Sequence, residues 1–142
     1  MYKGEPTKGL EFYKLLNESE EFTSELGKVA LASGKLEAEL IILLTKNGIK
    51  GNYKKATLGT LIDIADKNEL IDNNMRSILK GLSKQRNYIT HNIYALFIDL
   101  IGETILEKEK LLDTDVILYI ERAWQLRVNL NDIANIFERQ NK

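Results

Sequence analysis

Residues 18–46 read ESEEFTSELGKVALASGKLEAELIILLTK. Within them Phe22, Leu26, Val29, Ser33, Leu36, Leu40 and Leu43 fall at spacings of 4, 3, 4, 3, 4 and 3. That period lines residues along one face of an α-helix. It is the seam of a long helix packed nearly parallel or antiparallel to its neighbours. Ser33 and Gly34 place small residues at mid-seam, where another helix can approach closely. Asn47-Gly48 is a stop signal for this helix. Gly51-Asn52 falls in the loop beyond it.

The other end of the chain repeats the pattern. Tyr119, Ala123, Leu126, Leu130, Ile133 and Phe137 form a second long seam, with Trp124 beside it. Asp113 or Thr114 caps this helix, which extends to about Arg139. Between the two, Thr57 is an N-cap for a short helix to about Lys67, with Leu58, Leu61, Ile62 and Ala65 on one face. A further helix begins near Asp72, turns Met75, Ile78, Leu79 and Leu82 inward, and runs toward Arg86 and on to His91. Residues 93–108 read as a small β-hairpin around Gly102, with a helical extension as the competing reading. The sole proline, Pro6, precedes any periodic segment, so no helix is interrupted. The terminal residues are expected to be disordered. The expected fold is all-α: an up-and-down helical bundle of four to five helices in a single domain spanning 1–142.

Composition narrows the function. With 142 residues, 44% of them apolar, the chain suits one packed core. Cysteine is absent, which excludes disulfides and thiolate metal sites and suits a cytoplasmic location. The longest apolar run, residues 40–44, is too short to cross a membrane, and residues 1–6 hold no signal-peptide core. No Asp/Glu/His set has metal-ligand spacing. No glycine loop cradles phosphate, and Gly-x-Ser-x-Gly does not occur. No metal or cofactor is expected. Glu37, Glu39, Asp113 and Asp115 read as surface or capping residues. A net charge of −1 argues against broad electrostatic binding of nucleic acid, leaving a local patch.

The single histidine, His91, lies in the run Ser83-Lys84-Gln85-Arg86-Asn87-Tyr88-Ile89-Thr90-His91-Asn92. Imidazole exchanges protons near neutral pH, and guanidinium forks two parallel hydrogen bonds to a phosphate. Together they suit chemistry on a phosphodiester. His91 would take the proton of a ribose 2′-hydroxyl, Arg86 would stabilise the charge on phosphorus, and Asn87 would support either. RNA carries its own nucleophile, so neither a metal nor a serine is required. On an ideal helix, five residues turn about 500°, leaving Arg86 and His91 about 140° apart. They converge only if the helix breaks, if Arg86 reaches round, or if a second subunit completes the site. One histidine does not serve as acid and base at the same instant, so catalysis also implies a homodimer. Arg76, Lys80 and Lys84 form a basic stripe leading to Arg86 that would guide an RNA backbone, and Tyr88 would stack on a base. A solvated helix face and a core tyrosine are the competing readings.

The run Arg86-Asn87-Tyr88-Ile89-Thr90-His91 resembles the signature of the HEPN superfamily: an arginine, four to six residues, then a histidine, with a polar residue just after the arginine. The resemblance implies an all-helical, metal-independent endoribonuclease acting as a dimer, in toxin–antitoxin or phage-defence systems, with RNA as substrate and an antitoxin as a further protein partner. Arg86 and His91 would be catalytic and Asn87 supporting. One subgroup carries a tyrosine two residues past the histidine, where this chain has Ile93, with Tyr94 one later. The reading from another class is a non-catalytic helical module for oligomerisation, nucleotide binding or partner binding.

Overall fold

The computed structural model describes residues 6–91, 93 and 113–142. Five helices occur among them: α1 (Pro6–Glu18), α2 (Glu20–Lys46), α3 (Leu58–Lys67), α4 (Asn73–His91) and α5 (Asp113–Asn141). The all-α bundle expected from periodicity is the observed architecture, with no strand among the described residues. Apart from the buried Ile93, the hairpin segment 93–108 lies outside them.

The caps of α3 and α4 are where the sequence marks them, while Ser19, read as lying inside a helix over 18–46, instead separates α1 from α2 as a cap. Ser19 Oγ accepts the Phe22 N–H at 3.1 Å and opens α2. Thr57 Oγ1 accepts the Thr60 N–H at 3.2 Å and opens α3. Asp72 Oδ1 accepts the Met75 N–H at 2.7 Å ahead of α4. In each case a short polar side chain satisfies an N–H that the first turn leaves free. Helices α2 and α3 end in the same way. Gly48, at φ 72°, lets the Ile49 N–H reach the Leu44 carbonyl at 3.0 Å and its own N–H reach Thr45 at 3.1 Å. Glu69, at φ 57°, does the same with Leu70 to Ala65 at 2.9 Å and its own N–H to Asp66 at 3.0 Å. Glycine takes this left-handed conformation freely, whereas glutamate is strained in it.

Helices α2 and α5 run side by side in the same direction. Glu25 meets Arg127, Lys35 meets Asn135 and Glu138, and Glu39 meets Asn141, so the order of partners along both helices is the same. Between them lie Phe22, Val29, Leu36, Leu40 and Leu44 of α2 and Tyr119, Leu126, Leu130 and Phe137 of α5, all buried. The seams drift toward the C-terminal ends. Leu44 is more deeply buried than Leu43, and Ala134 is buried where the spacing predicts Ile133. A strict 4,3 repeat averages 3.5 residues per turn and an α-helix has 3.6, so a straight helix slips to the following residue after a few turns. Ile78 of α4, expected inward, is 39% exposed.

A further expectation is corrected. The N-terminal segment, read as lying ahead of any periodic pattern, forms α1, which starts at Pro6 itself. Proline suits the first helical position because its missing N–H would have no partner there anyway. The helix is held by Phe12 and Leu16, both buried, and the Phe12 ring meets Tyr119 edge-on at 4.9 Å and 70°. Leu10 and Tyr13 stay exposed, so the pattern is too sparse to read without the docking surface.

Leu40→Ala, at a fully buried seam position, is expected to lower unfolding free energy by about 2–5 kcal/mol in urea titration. In the same assay Gly48→Ala lowers it by about 1 kcal/mol, while Glu69→Gly raises it by as much as about 1 kcal/mol.

Candidate functional site

Arg86, Asn87 and His91 all belong to α4, which is one unbroken helix as far as His91. Of the three routes to convergence, a helix break is therefore ruled out. Thr90 Oγ1 donates to the carbonyls of Arg86 at 2.9 Å and Asn87 at 3.3 Å, bracing the last turn.

Leu79, Leu82, Ser83 and Ile89 are the buried residues of α4. Arg86 lies four residues past Leu82, three past Ser83 and three before Ile89, so it occupies the core-facing stripe. The side chain is partly buried, and its guanidinium reaches toward α2. There Nη2 lies 3.9 Å from Glu37 Oε1, with the two side chains 31% and 26% exposed. Nη1 donates to Asn87 Oδ1 at 3.4 Å. His91, one turn beyond Asn87, is exposed at the end of the helix. Among the described residues no hydrogen bond links it to Arg86 or Asn87. One chain thus brings Arg86 and Asn87 together and sets His91 on the adjoining face. An anion at Arg86 would compete with Glu37 for the guanidinium.

The basic stripe is matched by carboxylates. Arg76 Nε lies 3.0 Å from Asp66 Oδ2, and Lys80 is paired with Asp63. The two acids are three apart on α3 and the two bases four apart on α4, forming an ionic ladder between antiparallel helices. Lys84 Nζ sits 5.8 Å from the centre of the Tyr88 ring, within cation–π range. Tyr88 itself is half-buried against the core.

Beside the motif lies an apolar cleft of about 290 Å³, lined by Leu16, Phe22, Leu26, Ala30, Ile89 and Thr90 among others. It separates the α1–α2 turn from the end of α4. A second cleft of about 420 Å³, between α4 and α5, is lined by Ser77, Gln85, Asn129 and Asp132 and holds none of the motif residues. No set of His, Asp and Glu among the described residues is placed to hold a metal. No described helix is long and apolar enough to cross a membrane.

Glu37 is the residue at this site that sequence reasoning passed over as surface. It lies 49 positions before Arg86, and no local pattern connects the two. Asp63 and Asp66 did leave a signal, since their spacing complements that of Arg76 and Lys80. Comparison with protein-family models, with curated proteins and with solved structures returns no match.

The half-exposed Arg86–Glu37 pair is worth little to the fold. Arg86→Ala is expected to cost about 1 kcal/mol, mostly through the lost stem, with Arg86→Met closer to wild type. His91→Ala stays within about 0.5 kcal/mol, as exposed positions do. Urea unfolding of the three variants checks both values.

Proposed function

We propose that this protein is a metal-independent endoribonuclease of the HEPN type, acting as a cytoplasmic homodimer in a toxin–antitoxin or phage-defence setting. The observation that carries the reading is the strip on the last turns of α4: Arg86 in hydrogen-bond contact with Asn87, and the exposed His91 one turn on.

In the proposed reaction His91 of one subunit takes the proton from a ribose 2′-hydroxyl. The 2′-oxygen attacks the adjacent phosphorus, and Arg86 exchanges Glu37 for the phosphoryl oxygens as negative charge builds on them. Asn87 holds the guanidinium or a phosphate oxygen. The P–O5′ bond breaks, and the departing 5′-oxygen takes a proton from a second imidazole, supplied by the partner subunit. The products are a 2′,3′-cyclic phosphate and a free 5′-hydroxyl. Lys80 is held by Asp63 and Lys84 lies over Tyr88, so any backbone guidance from the stripe is weak and sensitive to salt.

A second reading is favoured by one contact. The Arg86–Glu37 pair ties α4 to α2, a role that needs no substrate. In that reading the protein is a helical module for oligomerisation or partner binding.

The deciding measurement is cleavage of a mixed RNA pool by purified protein in EDTA, with folded Arg86→Ala and His91→Ala alongside. Cleavage leaving 2′,3′-cyclic phosphate ends is expected for wild type, with a loss of at least about 100-fold in each variant, the lower range for general acid–base groups. Full activity in folded His91→Ala would sink the mechanism. No cleavage by a dimeric wild type moves the weight to the binding module.

A further inference from the structure

The connection between α2 and α3 is strongly one-signed. Residues 40–62 hold four lysines, Lys46, Lys50, Lys54 and Lys55, and no aspartate or glutamate, in a chain whose net charge is −1. All four are exposed, and none of their ammonium groups makes a hydrogen bond or ion pair among the described residues. Cations on the helices differ. Lys28 meets Glu25, Lys35 meets Glu138, and Arg76 and Lys80 meet Asp66 and Asp63. A carboxylate at contact cancels most of a lysine's field, and the four loop lysines lack one.

The loop is held in one shape. The Tyr53 hydroxyl donates to the Ile49 carbonyl at 2.6 Å, and its ring lies so close to Gly51 that a Cβ built there would meet Cε1 at 2.9 Å. Asn52 Oδ1 accepts the Lys54 N–H at 3.2 Å, and the Ala56 N–H reaches the Tyr53 carbonyl at 3.1 Å. These contacts order the backbone that carries Lys50, Lys54 and Lys55, so little main-chain freedom is lost when they engage a partner. Ile49, Tyr53 and Ala56 are packed against the core. The loop thus offers a partner charge and no apolar anchor. A protein interface is held by buried anchors, and a membrane surface takes inserted apolar side chains. A phosphodiester backbone needs neither, because cation–phosphate contacts and the counterions they release carry its binding.

We propose that the α2–α3 loop is a contact surface for the phosphate backbone of an RNA strand, with Lys46, Lys50, Lys54 and Lys55 as the phosphate ligands. Its position suits that partner. Along the antiparallel α3 and α4, Asp66 meets Arg76, Asp63 meets Lys80, and a Cβ built at Gly59 would lie 3.8 Å from Ser83 Oγ. Each step along α3 toward the loop is therefore a step along α4 toward the motif, and Ser83 lies one turn before Asn87. The loop enters α3 on the flank of the Arg86–Asn87 pair. Its role, which rests on the ribonuclease reading, is to hold the strand beside that pair, where the carboxylate-matched stripe of α4 attracts it only weakly.

The test is fluorescence anisotropy of a labelled, mixed-sequence 2′-O-methyl oligoribonucleotide titrated with the full chain at about 50 to 200 mM salt. The probe lacks the 2′-hydroxyl nucleophile, so binding is read without cleavage. Wild type is expected to bind. The slope of log affinity against log salt is expected to become shallower by about 0.7 for each lysine removed in Lys50→Gln/Lys54→Gln, and by about 3 when all four loop lysines become glutamine. Lys28→Gln/Lys35→Gln removes the same charge from cations already matched by carboxylates, and is expected to leave the slope close to wild type. Helical circular dichroism is retained throughout, because every substituted position is exposed. No binding by wild type, a slope unmoved by the loop variants, an equal effect of the two double variants, or binding to phosphatidylserine vesicles in place of the oligonucleotide would overturn the proposal. Loop-dependent binding by a wild type that cleaves no RNA upholds the surface and counts against the ribonuclease reading. Cleavage of RNA with binding indifferent to the loop does the reverse.

Discussion

The parallel pairing of α2 and α5 is the constraint on which the rest of the structure depends. It joins two helices that lie far apart in the chain, and it buries the largest apolar faces that the sequence offers. The polar pairs along its edges keep the register. Arg127 is forked onto Glu25, with Nε at 2.8 Å and Nη2 at 3.4 Å. Donating to the Glu25 carboxylate holds the Arg127 guanidinium pKa above its ordinary value. Lys35 and Asn141 close the same edge further along, at 2.7 and 2.9 Å. Individually such surface pairs contribute little, but a slip of either helix would break all of them together while it unseated the core.

Everything at the candidate site inherits that frame. Helix α2 presents Glu37 on the flank where α4 arrives, and α3 anchors the first half of α4 through the Asp66–Arg76 and Asp63–Lys80 pairs. The last turns of α4 therefore project past α3 with their polar residues exposed. Arg86 is set apart by its position: a cation in a stripe otherwise made of leucine, isoleucine and serine. A structural helix would be served at least as well by an apolar residue there, because a half-buried ion pair returns little for the desolvation it requires. That imbalance is what separates Arg86 from the rest of the stripe, with the exposed His91 on the adjoining face.

The same frame leaves one face of α2 exposed among the described residues. Its seam faces inward, Glu37 reaches α4, Lys35 and Glu39 reach α5, and Gly27, Leu31, Gly34, Ala38 and Ile42 lie exposed on the far side. Glycine inside a long exposed helix weakens it, since glycine loses more backbone freedom on folding than any other residue. Among the described residues, a side chain built at Gly27 or Gly34 would meet nothing within 4 Å.

Much of this was legible in the chain itself. The 4,3 spacing located α2 and α5, and Thr57, Asp72 and Gly48 marked ends, because helical periodicity and capping are local and depend on residues within one or two turns. The 140° between Arg86 and His91 was also legible, since it follows from helix geometry alone. The sequence by itself thus determined the helix class, most boundaries and the polar run of the motif. Only the tertiary structure decided that Pro6 begins a helix, that α2 and α5 lie parallel, that the seams drift onto Leu44 and Ala134, and that Glu37 is the carboxylate facing Arg86. Those features depend on which surfaces meet across gaps of 50 to 100 residues, and no local spacing encodes a contact whose two halves are separately unremarkable.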